Sequence, residues 1–177
     1  MKTFIPKACA GGGRPGLFLK TGAGARAAGA EEFDYDRAFG RNLGLVSEAE
    51  QGRLRRTRVG LPGLGGVGGG HAEVLARLGI GAFHLADPDR FELANLNRQL
   101  GAALPTLGRA KAQVAEERIV SLNPQAQVRV FPQGIGPENL ASFLEGVDVV
   151  VDGLEFFAIE LRRMLYAECR CSRKDPA

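Results

Sequence analysis

The stretch that decides the fold is Val59–Gln99, which reads VGLPGLGGVGGGHAEVLARLGIGAFHLADPDRFELANLNRQ. It predicts a strand, a glycine loop, a helix and a second strand that ends at Asp87. Glycines in such a loop permit a tight turn and let a phosphate approach the backbone, while the following helix points its N-terminus at the anion. The loop therefore predicts nucleotide phosphate contacts at Gly63, Gly65, Gly66 and Gly68.

An acidic residue follows the second strand at a spacing typical of nucleotide-binding folds. Asp87 lies 19 positions beyond Gly68, close to the offset of about 20 at which a carboxylate reaches a ribose hydroxyl. Folds that bind NAD, FAD and other nucleotides share these two features. The glycine loop and Asp87 together therefore predict a nucleotide without choosing among these ligands.

Predicted strands and helices alternate along the chain. A capping box at Ser47–Glu50 opens the first helix, which extends to about Arg56. Further strands are predicted at 59–61, 82–86, 128–131 and 147–152, and further helices at about 69–78, 107–121, 137–146 and 158–168. In the second helix, Val74, Leu75 and Leu78 are predicted to share one apolar face. The alternation predicts an α/β fold with a Rossmann-like, mostly parallel sheet and helices on both faces.

The carboxyl ends of the predicted strands carry the polar residues of interest. Ligands of such sheets bind outside these strand ends. The glycine loop, Asp87 and the segment after Asp152 each follow a strand. We therefore expect the three segments to converge on one pocket.

The two ends of the chain differ in composition from its centre. Residues 1–32 are rich in glycine and alanine and lack a sustained helix or strand period, so they predict a flexible leader. Residues 33–170 predict the nucleotide-binding domain, and residues 171–177 predict a polar tail.

The composition predicts a soluble, cytoplasmic protein. The hydrophobic content of 45% and the charged content of 24% are ordinary for a globular protein. The sequence contains no run of 18 consecutive apolar residues, so no membrane-spanning helix is predicted. Cys9, Cys169 and Cys171 lack paired spacing, which favours a reducing compartment over a disulfide framework.

The segments after the second strand make the pattern specific. In chain order they are Asp87-Pro-Asp89, Asn95-Leu-Asn97-Arg98-Gln99, Gly108-Arg-Ala-Lys111 and Asn123-Pro124. With the glycine loop, this series resembles the ThiF/MoeB/HesA family, the bacterial relatives of ubiquitin-activating enzymes. The resemblance extends from about Asp36 to Cys169.

The resemblance implies an ATP-dependent adenylyltransferase. In this family a carboxylate attacks the α-phosphate of ATP, giving an acyl-adenylate and pyrophosphate. The carboxylate is usually the C-terminus of a ubiquitin-like sulfur-carrier or modifier protein. Such a reaction depends on positioning and charge stabilisation more than on covalent work by the enzyme.

The family pattern assigns roles to the polar residues of the site. It implies that Asp87 binds the ribose, and that Arg98 and Lys111 bind phosphate oxygens. It also implies nucleotide contacts for Asn95 and Asn97. The alternatives are that Asp87 caps its loop, that Arg98 pairs with Glu92 or Asp89, and that Lys111 is solvated. Asp89 is expected either to shape its loop or to touch substrate.

The expected metal position departs from the family pattern. The family follows its last strand with Asp-x-x-Asp, and the second Asp holds magnesium. Here the segment is Asp152-Gly-Leu-Glu155, so the resemblance implies Mg²⁺ and nucleotide contacts for Glu155. Its carboxylate is a suitable oxygen ligand but extends one methylene further.

The family also acts as a homodimer in which an arginine from the neighbouring subunit reaches the γ-phosphate. Arg41 fits this position best, and Arg37 is the second candidate. The family continues past the point where this chain turns polar, at Cys171. We therefore expect a product truncated at its C-terminus or frame-shifted, or a half-domain that relies on a partner.

Three other functions stay open. The Ala76–Gly81 segment and the asparagine motif also resemble the tRNA threonylcarbamoyladenosine dehydratase branch of the family, in which the carboxylate belongs to a tRNA modification. An NAD-dependent oxidoreductase would use Asp87 but would give no role to Arg98 or Lys111. A non-catalytic nucleotide-binding module would be consistent with Glu155 and the missing second half.

Overall fold

The computed structural model describes residues 32–171. Its helices are α1 (Tyr35–Phe39), α2 (Glu48–Arg56), α3 (Gly66–Arg77), α4 (Lys111–Leu122), α5 (Leu140–Leu144) and α6 (Ile159–Cys171). Its strands are β1 (Arg58–Pro62), β2 (Ala82–Ala86), β3 (Gln127–Phe131) and β4 (Val149–Val150). Short 3₁₀ turns lie at Gly40–Asn42, Leu93–Asn95 and Leu104–Thr106. Nearly all of the predicted leader and tail fall outside the described residues.

The four strands form one parallel sheet in the order β3-β2-β1-β4. Val59 of β1 pairs with Phe83 of β2, and Phe83 pairs with Val128 of β3. The chain therefore moves outward from β1 to β3 and then crosses back to place β4 on the other side of β1. This arrangement confirms the predicted Rossmann-like sheet and puts the reversal of strand order at β1.

Helices cover both faces of the sheet, as predicted. On one face, α3 and α4 pack on β1 and β2 through the buried residues Val59, Leu61, Phe83, Leu85, Ala72, Ala76, Ala112 and Ile119. On the other face, α5 and α6 pack through Ala86, Phe131, Leu140, Phe143 and Leu165. Burial of these apolar side chains on both faces is the main stabilising contribution to such a fold.

The prediction of an apolar face on the helix at about 69–78, which is α3 in the structure, is wrong in part. Val74 of α3 is 56% exposed and Leu78 is 36% exposed, whereas Leu75 packs against the core. Small residues face the sheet instead, namely Gly68, Ala72 and Ala76. They let α3 lie close to its strand, and the helix begins at Gly66 rather than near 69.

The start of α4 also differs from the prediction. The helix begins at Lys111 rather than near 107. Hydrogen bonds between Phe91 and the 108–109 segment hold the preceding backbone extended, and Arg90 forms an antiparallel bridge with Ala110. Lys111 therefore becomes the first residue of the helix.

The last predicted strand is shorter and more exposed than expected. Regular structure covers only Val149–Val150, and Val149 is half exposed because β4 lies at the sheet edge. Hydrogen bonds to β1 nevertheless continue from Asp148 to Gly153. This extended segment carries the chain to the site.

The N-terminal helices pack at the far end of α3. The hydroxyl of Tyr35 in α1 donates to the Gly79 carbonyl at 2.6 Å. Gln51 of α2 donates to that hydroxyl and to the Leu78 carbonyl. The predicted capping box at Ser47–Glu50 is present. Within residues 32–171, no helix is long and apolar enough to cross a membrane.

A buried histidine lies in the core of β2. The imidazole of His84 packs beside Phe131 and Phe143, and its Nδ1 lies 2.6 Å from the Phe143 carbonyl oxygen. Burial lowers the pKa of His84 and outweighs the hydrogen bond to that carbonyl, and the charges of Arg58 and Arg129 lower it further. His84 is therefore neutral in the folded protein at neutral pH.

We expect acid to destabilise the fold through His84. The unfolded state binds a proton there more readily, so the free energy of unfolding falls as pH drops below about 6.5, the ordinary histidine pKa. Denaturant unfolding at pH 7 and pH 5 measures this fall. His84→Gln is expected to make the loss of stability between pH 7 and pH 5 smaller. His71 lies on the exposed surface of α3, and His71→Gln is expected to leave that loss unchanged. Equal pH dependence in both variants would contradict the assignment.

Candidate nucleotide-binding site

The glycine loop connects β1 to α3 with the close contacts that its sequence predicts. Gly63 has φ of +85°, a conformation that favours glycine. A Cβ atom on Gly68 would overlap the Gly63 carbonyl oxygen, so only glycine lets α3 start this close to the strand. A Cβ on Gly65 or Gly66 would make only ordinary contacts. These two positions are therefore free to present backbone to a ligand.

Asp87 ties the end of β2 to the glycine loop. Its carboxylate is buried, accepts the Leu64 N–H at 2.6 Å and accepts the Asp89 N–H at 2.8 Å. Asp87 therefore caps its loop, which is the alternative role considered for it. Each carboxylate oxygen keeps a second acceptor site, so the ribose contact of Asp87 stays a prediction.

Lys111 is held by Asp89 at the start of α4. Its Nζ lies 2.9 Å from Asp89 Oδ2, and its backbone N–H donates to the Asp89 carbonyl at 3.0 Å. The side chain of Lys111 is 7% exposed while that of Asp89 is 65% exposed. Lys111 is therefore not a solvated lysine, and Asp89 shapes the loop that positions it.

A cavity of about 300 Å³ adjoins Lys111. It lies between α3 and α4, and its lining includes the apolar side chains of Leu64, Phe91 and Val114. An ammonium group has three donors, and Asp89 accepts from Lys111 Nζ at one oxygen. The remaining donor capacity of Lys111 suits an anionic oxygen.

Arg98 lies beside the glycine loop on an exposed segment. Its Nη1 donates to the Ala94 carbonyl at 2.9 Å and to Asn97 Oδ1 at 3.1 Å. Its side-chain stem and its carbonyl approach Gly66. The ion pairs considered with Glu92 and Asp89 do not form among the described residues. Arg98 is an exposed residue, so its guanidinium is accessible near the loop.

The two asparagines of the motif occupy different environments. Asn95 is buried, and its Oδ1 accepts the Glu92 N–H at 3.0 Å, which shapes the turn. Asn97 is exposed and accepts from Arg98. The nucleotide contacts predicted for both residues stay predictions.

Gln99 belongs to the site although its role could not be read from the sequence. Its side chain is buried against Gly65, and its Oε1 is a buried acceptor without a hydrogen-bond partner among residues 32–171. A buried unpaired acceptor costs on the order of 1–3 kcal/mol. Gln99 is thus a candidate to receive a donor from a bound nucleotide. Its position at the end of the Asn-x-Asn-Arg-Gln motif was the available signal.

The segment after β4 meets the glycine loop, as predicted. The Gly153 N–H donates to the Pro62 carbonyl at 3.0 Å, and a Cβ on Gly63 would overlap the Gly153 carbonyl oxygen. The Gly63 N–H also donates to the carbonyl of Ala86, the last residue of β2. The three segments that follow β1, β2 and β4 therefore converge at the carboxyl edge of the sheet.

Glu155 lies exposed in this convergent segment. Within residues 32–171, no group of three or more His, Cys, Asp or Glu side chains could hold a metal ion. The donors present therefore do not form an all-protein cage. Mg²⁺ is commonly bound by one or two carboxylates together with nucleotide phosphates and water, a coordination that needs no such cage. The Mg²⁺ and nucleotide contacts predicted for Glu155 stay predictions.

The two arginines predicted to act in trans lie far from the loop of their own chain. Arg37 is in α1 and Arg41 is in the following 3₁₀ turn. These elements pack at the C-terminal end of α3, about 18 Å from its start by the helical rise. Neither arginine reaches the site within one chain, and the role in trans stays a prediction.

Residues 39–175 match the sequence model of one protein family, the ThiF family. The chain belongs to the ThiF family. This membership confirms the resemblance that was based on the glycine loop, Asp87 and the Asn-x-Asn-Arg-Gln and Gly-x-x-Lys motifs. It also gives the NAD-dependent oxidoreductase interpretation no support.

This ThiF-family chain is similar to two kinds of curated enzyme. It is 36% identical over 138 residues to the tRNA threonylcarbamoyladenosine dehydratase of Haemophilus influenzae, covering 77% of the chain and 52% of that protein. It is 35% identical over 119 residues to the sulfur carrier protein ThiS adenylyltransferase of Escherichia coli, covering 67% of the chain and 47% of that protein. The chain thus spans about half the length of these relatives.

A solved relative shares the fold. The crystal structure of the E. coli tRNA N6-threonylcarbamoyladenosine dehydratase TcdA in complex with ATP superposes with a TM-score of 0.73 at 35% sequence identity. The alignment covers 77% of this chain and 56% of that chain. The sheet and glycine loop described above therefore form the Rossmann-like core of a ThiF-family domain.

Proposed function

We propose that this domain binds ATP and activates a carboxylate as an acyl-adenylate with release of pyrophosphate. The observation that carries the proposal is the convergence of the glycine loop, Asp87, Arg98 and Lys111 at one sheet edge. The relative TcdA, whose structure contains ATP, supports the choice of nucleotide. The proposal makes this chain the nucleotide-binding part of an enzyme.

The residues of the site divide the work between phosphate and ribose. Backbone N–H groups at Gly65 and Gly66 and the N-terminus of α3 hold phosphate oxygens. Lys111 and Arg98 stabilise the charge that develops as pyrophosphate leaves. Asp87 accepts from the ribose hydroxyls while its Leu64 contact keeps the loop closed.

Magnesium completes the proposed site. Bound Mg²⁺ would neutralise phosphate charge and orient the leaving pyrophosphate. Glu155 is the residue proposed to hold it, together with phosphate oxygens and water. The exposed position of Glu155 in the segment beside the glycine loop supports this role.

Two carboxylate substrates are supported by the relatives. The first is the carboxylate of a threonylcarbamoyl group on tRNA, because the H. influenzae dehydratase matches 77% of the chain. The second is the C-terminus of a ubiquitin-like sulfur-carrier protein, because the ThiS adenylyltransferase matches 67% of it. Both reactions share the adenylylation step and differ in the partner that reaches the acyl site.

We further propose that two copies of the chain assemble in the cytoplasm, with Arg41 of one copy reaching the ATP phosphates of the other. The distance between the Arg41 turn and the loop of the same chain supports this arrangement. Arg41→Ala mixed with Lys111→Met is expected to recover part of the activity, since mixed dimers then contain one complete site.

Exchange of radioactive pyrophosphate into ATP tests the activation step. With Mg²⁺ present, we expect exchange that depends on a carboxylate substrate, either threonylcarbamoyladenosine-containing tRNA or a sulfur-carrier protein. Lys111→Met is expected to abolish it. ATP binding without exchange for any substrate tested would identify a non-catalytic nucleotide-binding module instead.

A further inference from the structure

The segment between β4 and α6 packs closely against the glycine loop. We call residues 152–156 of this segment the clamp loop. Gly153 in the clamp loop packs backbone to backbone on Gly63, so that a Cβ on either residue would overlap the carbonyl oxygen of the other. The Gly153 N–H also donates to the Pro62 carbonyl at 3.0 Å. Glu155 follows two residues later, so its backbone position depends on this loop.

One side chain of α6 binds most of the clamp loop. The Nε of Arg162 donates to Asp152 Oδ2 at 2.5 Å. Its Nη2 donates to the carbonyls of Leu154 at 2.9 Å and Glu155 at 3.2 Å, and its Nη1 donates to the carbonyl of Phe156 at 3.2 Å. A planar guanidinium with fixed donor directions can satisfy such a set, whereas a lysine ammonium cannot match it.

Both oxygens of the Asp152 carboxylate belong to the same network. Its Oδ2 also accepts the Tyr166 hydroxyl at 2.6 Å, and its Oδ1 accepts the Leu154 N–H at 2.9 Å. Burial raises the pKa of Asp152, but the hydrogen bonds from Arg162, Tyr166 and Leu154 outweigh it and hold the pKa below its usual value. Asp152 is therefore ionised and paired, and its charge neutralises Arg162.

Glu155 is left outside this network. Its carbonyl accepts from Arg162, but its carboxylate forms no hydrogen bond or ion pair among the described residues. Asp152 and Arg162 are paired with each other, so Glu155 is the acidic residue of this loop without an ion-pair partner among the described residues. The network thus fixes the backbone of Glu155 while its carboxylate faces outward.

We propose that Arg162 is a positioning residue for the nucleotide site, one that fixes the clamp loop and thereby holds Glu155 two residues from the contact between Gly153 and Gly63. This inference rests on the proposed function. It assigns Arg162 no contact with nucleotide or metal, because its guanidinium donates hydrogen bonds to the clamp loop.

Hydrogen exchange of the protein without nucleotide tests the clamp independently of ATP. Arg162→Gln and the milder Arg162→Lys are compared with Arg163→Gln, a control in the same helix whose exposed guanidinium pairs with Glu160. We expect the clamp-loop amides, including that of Leu154, to exchange about tenfold faster in both Arg162 variants, as local opening becomes easier. Exchange equal to the Arg163 control would overturn the proposal.

A double-mutant cycle separates positioning from general stability. In the wild-type background, Glu155→Gln is expected to weaken ATP binding in the presence of Mg²⁺ by about tenfold. In the Arg162→Lys background, the same substitution is expected to weaken it by about twofold or less. In each variant, the loss of ATP affinity measured without Mg²⁺ is expected to be smaller than the loss measured with Mg²⁺. Equal effects of Glu155→Gln in the two backgrounds would overturn the positioning role. Absence of ATP binding by the wild-type chain would instead refute the proposed function.

Discussion

Gly68→Ala is expected to destabilise the domain by about 2–3 kcal/mol and to abolish ATP binding. The added Cβ would overlap the Gly63 carbonyl oxygen, which is backbone and cannot rotate away. The glycine loop would have to shift from the start of α3, and the phosphate-binding N–H groups would move with it. Urea unfolding and ATP titration of the same preparation measure the two effects.

Gly70→Ala is the matched control for this prediction. Gly70 lies in the same helix, and an added Cβ there meets no heavy atom within 4 Å. Alanine is favoured over glycine in a helix interior by about 1 kcal/mol, so this variant is expected to gain stability and to retain ATP binding. Equal loss in both variants would mean that α3 tolerates no substitution and that the close contact is not the cause.

Lys111→Met is expected to weaken ATP binding by about 30- to 100-fold while leaving the fold intact, because a hydrogen-bonded charge contributes about 2–3 kcal/mol. Methionine keeps the buried stem of Lys111, and the Asp89 carboxylate that loses its partner is 65% exposed and can be solvated by water. We therefore expect unfolding free energy to change by less than about 1 kcal/mol.

Arg109→Gln provides the control for charge. Arg109 lies two residues before Lys111, and its guanidinium pairs with Glu117 on the surface. Isothermal titration of ATP into both variants measures the difference. An equal, small loss of affinity in Lys111→Met and Arg109→Gln would place Lys111 outside the phosphate site.

Local signals predicted much of the fold. The capping box at Ser47–Glu50 opens α2, and the run Ala82–Ala86 is β2 with the predicted bounds. Both depend on residues close in sequence. The face of α3 was predicted wrongly because packing selects small residues there, and Val74 is left exposed despite its apolar side chain.

Tertiary contacts explain what the sequence could not show about the site. The motifs predicted the glycine loop, Asp87 and Lys111, and the structure brings them together. The packing of Gly153 on Gly63 joins residues 90 positions apart. Arg162 binds mainly backbone carbonyls, which have no sequence signature. Lys111 begins α4 only because pairing around Phe91 keeps the preceding residues extended.

The most direct test of the central claim is calorimetric titration of the purified chain with ATP plus Mg²⁺ and with NAD, for wild type and Arg98→Ala. Arg98 is exposed beside Gly66, so its removal is not expected to disturb the fold. We expect wild type to bind ATP and not NAD, and Arg98→Ala to lose most of the ATP affinity. Binding of NAD alone, or ATP affinity unchanged in Arg98→Ala, would contradict it.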